Sequence, residues 1–270
     1  MPSLSATLLQ LEEARRRADS NRERRKIESV LQPQLAAVFA DQGTQFLKKF
    51  TSLRGEFAES ITADDWLPLW YSVVEGTEDA MVIPLEEAIE TALYRGAVSQ
   101  VAAFSLGIEF DLTNERAVAY LDGYAAKLVT GINETTRDYI QTIIVNGVRD
   151  GLNYEAMAGQ IAGRFAEFAG KVRGPKHIRS RAELISVTEV GNAYSEGNRI
   201  IVLDMEAAGL KMQKAWLTRG DDRVSDGCRA NQAAGYIDLN TAYPSGHQRP
   251  LRFPGCRCDE VYRRKPKGRS

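Results

Sequence analysis

The chain has 270 residues, 43% hydrophobic and 26% charged, with a formal net charge of −1; that is room for one large domain or two modest ones. The balance excludes a polycationic nucleic-acid binder, so any contact with phosphate must come from local basic segments. No apolar run approaches the roughly 20 residues of a bilayer span, so no membrane partner is expected.

The N-terminal MPSLSATLLQLEEARRRADS lacks the basic-then-apolar order of a secretory signal. The expected setting is a cytoplasm or something assembled in one. Residues 5–60 read as helix, with apolar residues at helical spacing from Ile27 through Val30, Leu31, Leu35, Val38 and Phe39. Pro33 predicts a break or kink. The stretch ARRRADSNRERRKIE has little to bury and reads as a solvated face. Its removal with residues 1–30 is expected to cost assembly contacts more than fold stability. Thr62 starts a further helix, with Asp64 and Asp65 in the first turn. Helices are then predicted over 77–104 and, capped by Thr113, 113–130.

Ile140, Ile143, Ile144 and Val148 form a helical stripe ended by Gly151, and Asn153 caps a helix whose stripe is Met157, Ile161, Phe165 and Phe168. The basic linker KVRGPKHIRSR precedes a long helix over 180–208, stopped by Gly209. Beyond it, MQKAWLT, GYIDL and CDEVYRR are short strands set among turn residues, and RRKPKGRS reads as a basic disordered tail. The expected fold is mainly α: an extended helical body with a small C-terminal α+β module. The expected division is 1–105, a helical N-terminal region and candidate assembly contact; 106–209, helical; 210–262, the module; and 263–270, the tail.

The chemistry concentrates in that module. Cys228, Cys256 and Cys258 are the only cysteines. A structural zinc site usually has four Cys or His ligands, often three residues apart, but Ser225 and Phe253 stand where the partners of Cys228 and Cys256 would be. Cys256 and Cys258 would point to opposite faces of an extended strand. His247, in PSGHQ, is the one nearby histidine. Packed thiols are the leading reading, with one bridge from Cys228 or a weak zinc site from Cys228, Cys256, Cys258 and His247 as alternatives; no cofactor is expected. A thiol nucleophile needs a histidine base, and nothing places His177 or His247 beside a cysteine. Glu189, Asp221 and Asp222 could serve acid–base or metal chemistry, but a solvated turn and a helix surface are the simpler readings. Candidate phosphate contacts are Arg15, Arg16, Arg17, Arg24, Arg25, Lys26, Lys171, Arg173, Lys176, Arg263, Arg264, Lys265 and Lys267.

Four pieces in order, INETTRDYIQTIIVNGVRDGLNY, RAELISVTEVGNAYSEGN, AAGLKMQKAWLTRGDDRVSDGC and FPGCRC, resemble the bacteriophage Mu F-like family of minor head, or head morphogenesis, proteins over about 110–262. The positions that carry the resemblance are Arg181, Thr188, Glu189, Lys214, Trp216, Asp222, Arg223, Cys228, Cys256 and Cys258. Family members often show Ala-Arg-Thr-Glu where this chain has Ser186-Val187-Thr188-Glu189, and Val-Cys-x-x-Cys and His-Pro-x-Cys where it has Ser225 and Phe253. If that Cys/His pattern is a metal site, its loss is implied here. The resemblance implies a structural virion protein with no catalytic set. It would lie in the head near the portal, with the portal protein, the major capsid protein and packaged double-stranded DNA as partners and a link to genome delivery. The competing readings are a nuclease- or transferase-like C-terminal module and a DNA-binding accessory protein outside the virion.

Overall fold

The computed structural model describes residues 4–53, 61–122, 124–170 and 180–266. Among these, the chain is mainly helical, with seven helices and one small antiparallel sheet. The helices are α1 (Leu4–Ser52), α2 (Ala63–Ala103), α3 (Glu115–Leu121), α4 (Tyr124–Arg149), α5 (Tyr154–Phe168), α6 (Arg181–Ala207) and α7 (Asp226–Ala233). The strands are β1 (Met212–Leu217), β2 (Ile237–Asp238) and β3 (Asp259–Arg264), in the order β2-β1-β3.

Two helices run on through positions where the sequence suggests an interruption. Pro33 lies inside α1 and does not end it; one missing hydrogen bond is outweighed by the burial of Leu31 and Leu35 on either side. Val30, expected in the apolar stripe, is exposed. α2 runs through Gly76 and Pro84 instead of starting at 77. The reason is an unbroken buried stripe, Trp66, Trp70, Val73, Thr77, Met81 and Leu85, recurring every three or four residues. α3 is capped by Asn114, not Thr113: its Oδ1 accepts from the backbone N–H groups of Arg116 and Ala117. The cap at Asn153 and the positive-φ stop at Gly209 follow the sequence expectation, and Ser180 Oγ accepts from Glu183 N–H at the start of α6.

The chain forms two compact units, each gathered from separated stretches. One comprises Val30–Glu87 and Leu121–Leu184. Its core is aromatic: Phe46 and Phe50 stack at 5.7 Å, Phe46 meets Trp70 edge-on at 6.1 Å, and Phe165 meets Phe168 at 5.8 Å. The Arg181 guanidinium lies 4.9 Å from the Phe168 ring and donates to the Ile132 carbonyl at 2.8 Å; burial lowers its pKa to about 10. Buried Gln42 reaches Thr77 at 3.0 Å and Asn133 at 3.3 Å. Gly43 lets α5 approach α1, since a Cβ there would meet Phe165 at 2.7 Å.

The other unit comprises Met1–Ser29, Ala88–Tyr120 and Ile185–Ser270. Here α2 and α6 touch backbone to backbone. A Cβ on Gly96 would strike the Tyr194 carbonyl, and one on Gly197 the Leu93 carbonyl. The sheet alternates as its period requires: Trp216 joins one buried cluster, Ala215 and Leu217 another. β1 pairs with β3 from Met212–Arg264 to Leu217–Asp259. Ordered strand therefore continues into the segment expected to begin the tail.

Candidate functional site

The three cysteines are the strongest chemical feature. Cys228 is set by α7, an element the sequence reading took for turns. Ser225 caps it, its Oγ accepting from Cys228 N–H. Gln232 of α7 accepts from Thr218 N–H at 2.8 Å, and Asn231 exchanges hydrogen bonds with Ser245 at 2.8 and 3.0 Å. These bonds fix the helix to β1 and to the loop below it. Cys256 follows a turn closed by its N–H on the Phe253 carbonyl at 3.0 Å, with Gly255 at φ 79°. Cys258 stands just before β3.

The segment is therefore turned, not extended, and the expectation that Cys256 and Cys258 point apart is corrected. All three sulfurs lie within 4.8 Å of one another, all three side chains are buried, and Cys228 Sγ is 3.9 Å from Cys256 Sγ. No disulfide is formed. Trp216, Val224 and Tyr243 wall the cluster, Trp216 meeting Tyr243 edge-on at 5.0 Å. The Cys258 thiol hydrogen-bonds to Cys256 and holds the Cys256 pKa down, to about 5, with help from the backbone N–H groups of Cys258 and Arg252. The Cys258 thiol is pushed up by the same hydrogen bond and by burial. His247 is not part of the group; its Nδ1 faces Ser245 Oγ at 3.0 Å.

Residues from distant parts of the chain hold this cluster. Thr188 Oγ1 on α6 accepts from Gly255 N–H at 2.9 Å. Arg24 on α1 is 4% exposed and donates to the Cys258 and Arg257 carbonyls at 3.4 and 3.2 Å. Ser20 donates to the Asp259 carboxylate, and Glu28 lies 3.5 Å from Arg257. The polar stretch of α1 is thus solvated on one side only: the side bearing Ser20, Arg24 and Glu28 docks through hydrogen bonds and an ion pair. Arg24 accordingly leaves the set of candidate phosphate contacts.

Next to the thiols lies a second buried group. The Glu260 carboxylate accepts from Tyr243 Oη at 2.6 Å and Tyr262 Oη at 2.5 Å. Lys214 Nζ donates to the Gln248 carbonyl at 2.5 Å and sits 5.0 Å from the centre of the Tyr243 ring. Burial raises the Glu260 pKa and lowers that of Lys214.

Of the remaining candidates, Glu189 is buried, whereas Asp221, Asp222 and Arg223 are exposed on the turn after β1. Asp221 accepts from Arg223 N–H and lies 3.8 Å from Arg219. Arg15, Arg25 and Lys26 are exposed, and Arg16 and Arg17 half-buried. Arg22, Arg25, Lys26 and Arg219 line a groove of about 540 Å³ with Ala18, Asn21 and Ser29. Arg263 donates to Gln213 and covers the Tyr236 ring at 3.8 Å, while Lys265 pairs with Asp238 at 2.8 Å; Arg264 is exposed. Lys171, Arg173, Lys176, His177 and Lys267 lie outside the described residues.

Fold and site together define a helical protein whose C-terminal α+β module is closed around buried thiols and a buried acid. Residues 138–261 match the family described as Phage Mu protein F like protein. This region belongs to the Mu F-like family of phage head morphogenesis proteins. No curated protein and no solved structure is significantly similar to the chain. Among the described residues no helix is long and apolar enough to cross a membrane.

Proposed function

We propose that this chain is a structural minor head protein of a tailed phage. It would be placed in the virion head near the portal and act in assembly, next to packaged DNA and in the service of genome delivery. The observation that carries this reading is the Mu F-like match over 138–261. The DNA-facing part draws support from the groove on α1. Arg25, Lys26 and Arg219 meet there, and burial together with Arg25, Arg257 and Arg24 depresses the Arg219 pKa. Such a concentration of cations suits phosphate without regard to base sequence.

The portal, as a ring of repeated subunits, would offer many equivalent contacts, and the major capsid protein is the second expected neighbour. Mass spectrometry of purified particles tests the assignment: the protein is expected in proheads or mature virions, and absence from both sinks it. Pull-down of the portal protein by the full chain tests the partner. A gel shift over a salt series tests the DNA contact; no shift even at low salt removes DNA from the scheme. The enzyme alternative is tested by alanine at Glu189, Asp221 and Asp222, of which the first is buried and the other two are exposed on the turn after β1; unchanged infectivity and activity would retire it.

A further inference from the structure

We propose that Cys228, Cys256 and Cys258 bind one zinc ion as three thiolates, with a water molecule in the fourth position, and that this ion closes the C-terminal module. The inference stands on the cluster's geometry and is independent of the role in the virion. Tetrahedral zinc at about 2.3 Å from each sulfur holds two sulfurs about 3.8 Å apart. Cys228 and Cys256 already stand at 3.9 Å, and every pair in the group lies within 4.8 Å. Only small side-chain movements separate this arrangement from ligation.

Simple packing of three small apolar side chains leaves another observation unexplained. The Trp216 indole Nε1 and the Arg252 Nε are buried without a hydrogen-bond partner, and Trp216 is 1% exposed. A buried donor without a partner is costly. Neutral thiols are poor acceptors, but thiolates on a metal are good ones, and ligand sulfurs are commonly held by such outer donors. Trp216 packs in the same buried cluster as all three thiols.

The charge also fits. Three thiolates and one Zn²⁺ leave a single negative charge, the thiol protons having passed to solvent, and the buried Arg24 guanidinium lies on the Cys258 carbonyl. A soft ion is selected because all three donors are sulfur. The fourth donor does not come from the protein: Ser225 Oγ caps α7 and His247 is held by Ser245. The module is a three-stranded sheet with one short helix, small enough that such a staple is of use.

The full-length chain, produced in zinc-supplemented medium and purified without chelator, is expected to carry one zinc per chain by elemental mass spectrometry. Removing the ion with a chelator should lower Tm and expose the three cysteines to a thiol reagent. Zinc, but not magnesium, should restore both. Cys258→Ser should reduce zinc to background. Since that variant may fail to fold, the chelation and re-addition on the unaltered chain decide the matter. A folded chain that takes up no zinc at saturation, its Tm indifferent to chelator and metal, overturns the proposal. So does an intact mass short of two hydrogens, which would mark a Cys228–Cys256 bridge.

Discussion

The two compact units are built on different physics. The Val30–Glu87 and Leu121–Leu184 unit fills its interior with rings, and the half-buried Arg181 guanidinium lies on the face of one of them. In the unit holding both chain ends, polar groups do much of the joining: Arg24 on carbonyls, Ser20 on Asp259, Glu260 between two tyrosines. Aromatic burial is non-directional and tolerant of solvent conditions. Buried polar joints are directional and fail when a single partner is lost.

That contrast can be tested from both sides. Trp70→Ala in the aromatic unit should cost about 3–5 kcal/mol in chemical denaturation, through the cavity it leaves; a loss under about 1 kcal/mol would show that the rings are not what holds that unit. Arg24→Met keeps the side-chain stem and removes the donors, leaving two carbonyls unpaired. It should cost about 1–3 kcal/mol, read as a lower urea midpoint at unchanged slope. A neutral result would restore the view of α1 as a solvated face.

Glu260 gives a pH signature. Burial holds its folded pKa above the ordinary carboxylate range, while the Tyr243 and Tyr262 hydroxyls pull against that shift. The native state therefore binds the proton more tightly. This contribution to stability is full below the unfolded pKa of about 4.3 and is lost as pH rises through the folded value. Glu260→Gln should flatten that fall in a series of melts across pH, and an unchanged slope would assign it to other groups. The smallest effect is expected at Lys26, whose pairing with Glu23 is exposed. Lys26→Ala should shift stability by less than about 0.5 kcal/mol yet weaken any DNA gel shift and reduce its salt dependence.

The local signals were readable in the sequence. Met157, Ile161, Phe165 and Phe168 form a buried helical face as their spacing says, and Asn153 caps it. The strands at Trp216 and Val261 were also visible, as short runs carrying Trp216, Val261 and Tyr262 and set among clusters of turn residues. What failed was judgement by composition. ARRRADSNRERRKIE looks solvated until its partners are known, because burial by hydrogen bonding leaves no apolar stripe. The nearness of Cys228 to Cys256 was expected and is found, but the place of Cys258 beside them was missed for a similar reason. Two residues apart in a strand means opposite faces, but Pro254-Gly255 turns the chain before Cys256, and α7, announced only by the Ser225 cap, brings Cys228 in from 28 residues away. Residues as separated as Thr188 and Gly255, or Arg24 and Cys258, meet only through tertiary structure.

The docking of α1 onto the final strand has a consequence for biosynthesis. Ser20 and Asp259 are 239 positions apart, and Arg24 and Cys258 are 234 apart. Contacts so distant along the chain form late and slowly. Translation supplies every residue of the aromatic unit by Leu184, whereas the other unit lacks β3 until Arg264 has been added. The ribosome thus imposes an order: the ring-filled unit can mature while the arginine-rich start of α1 waits for the cysteine segment to emerge, and the α+β module can assemble only after β3 has followed it.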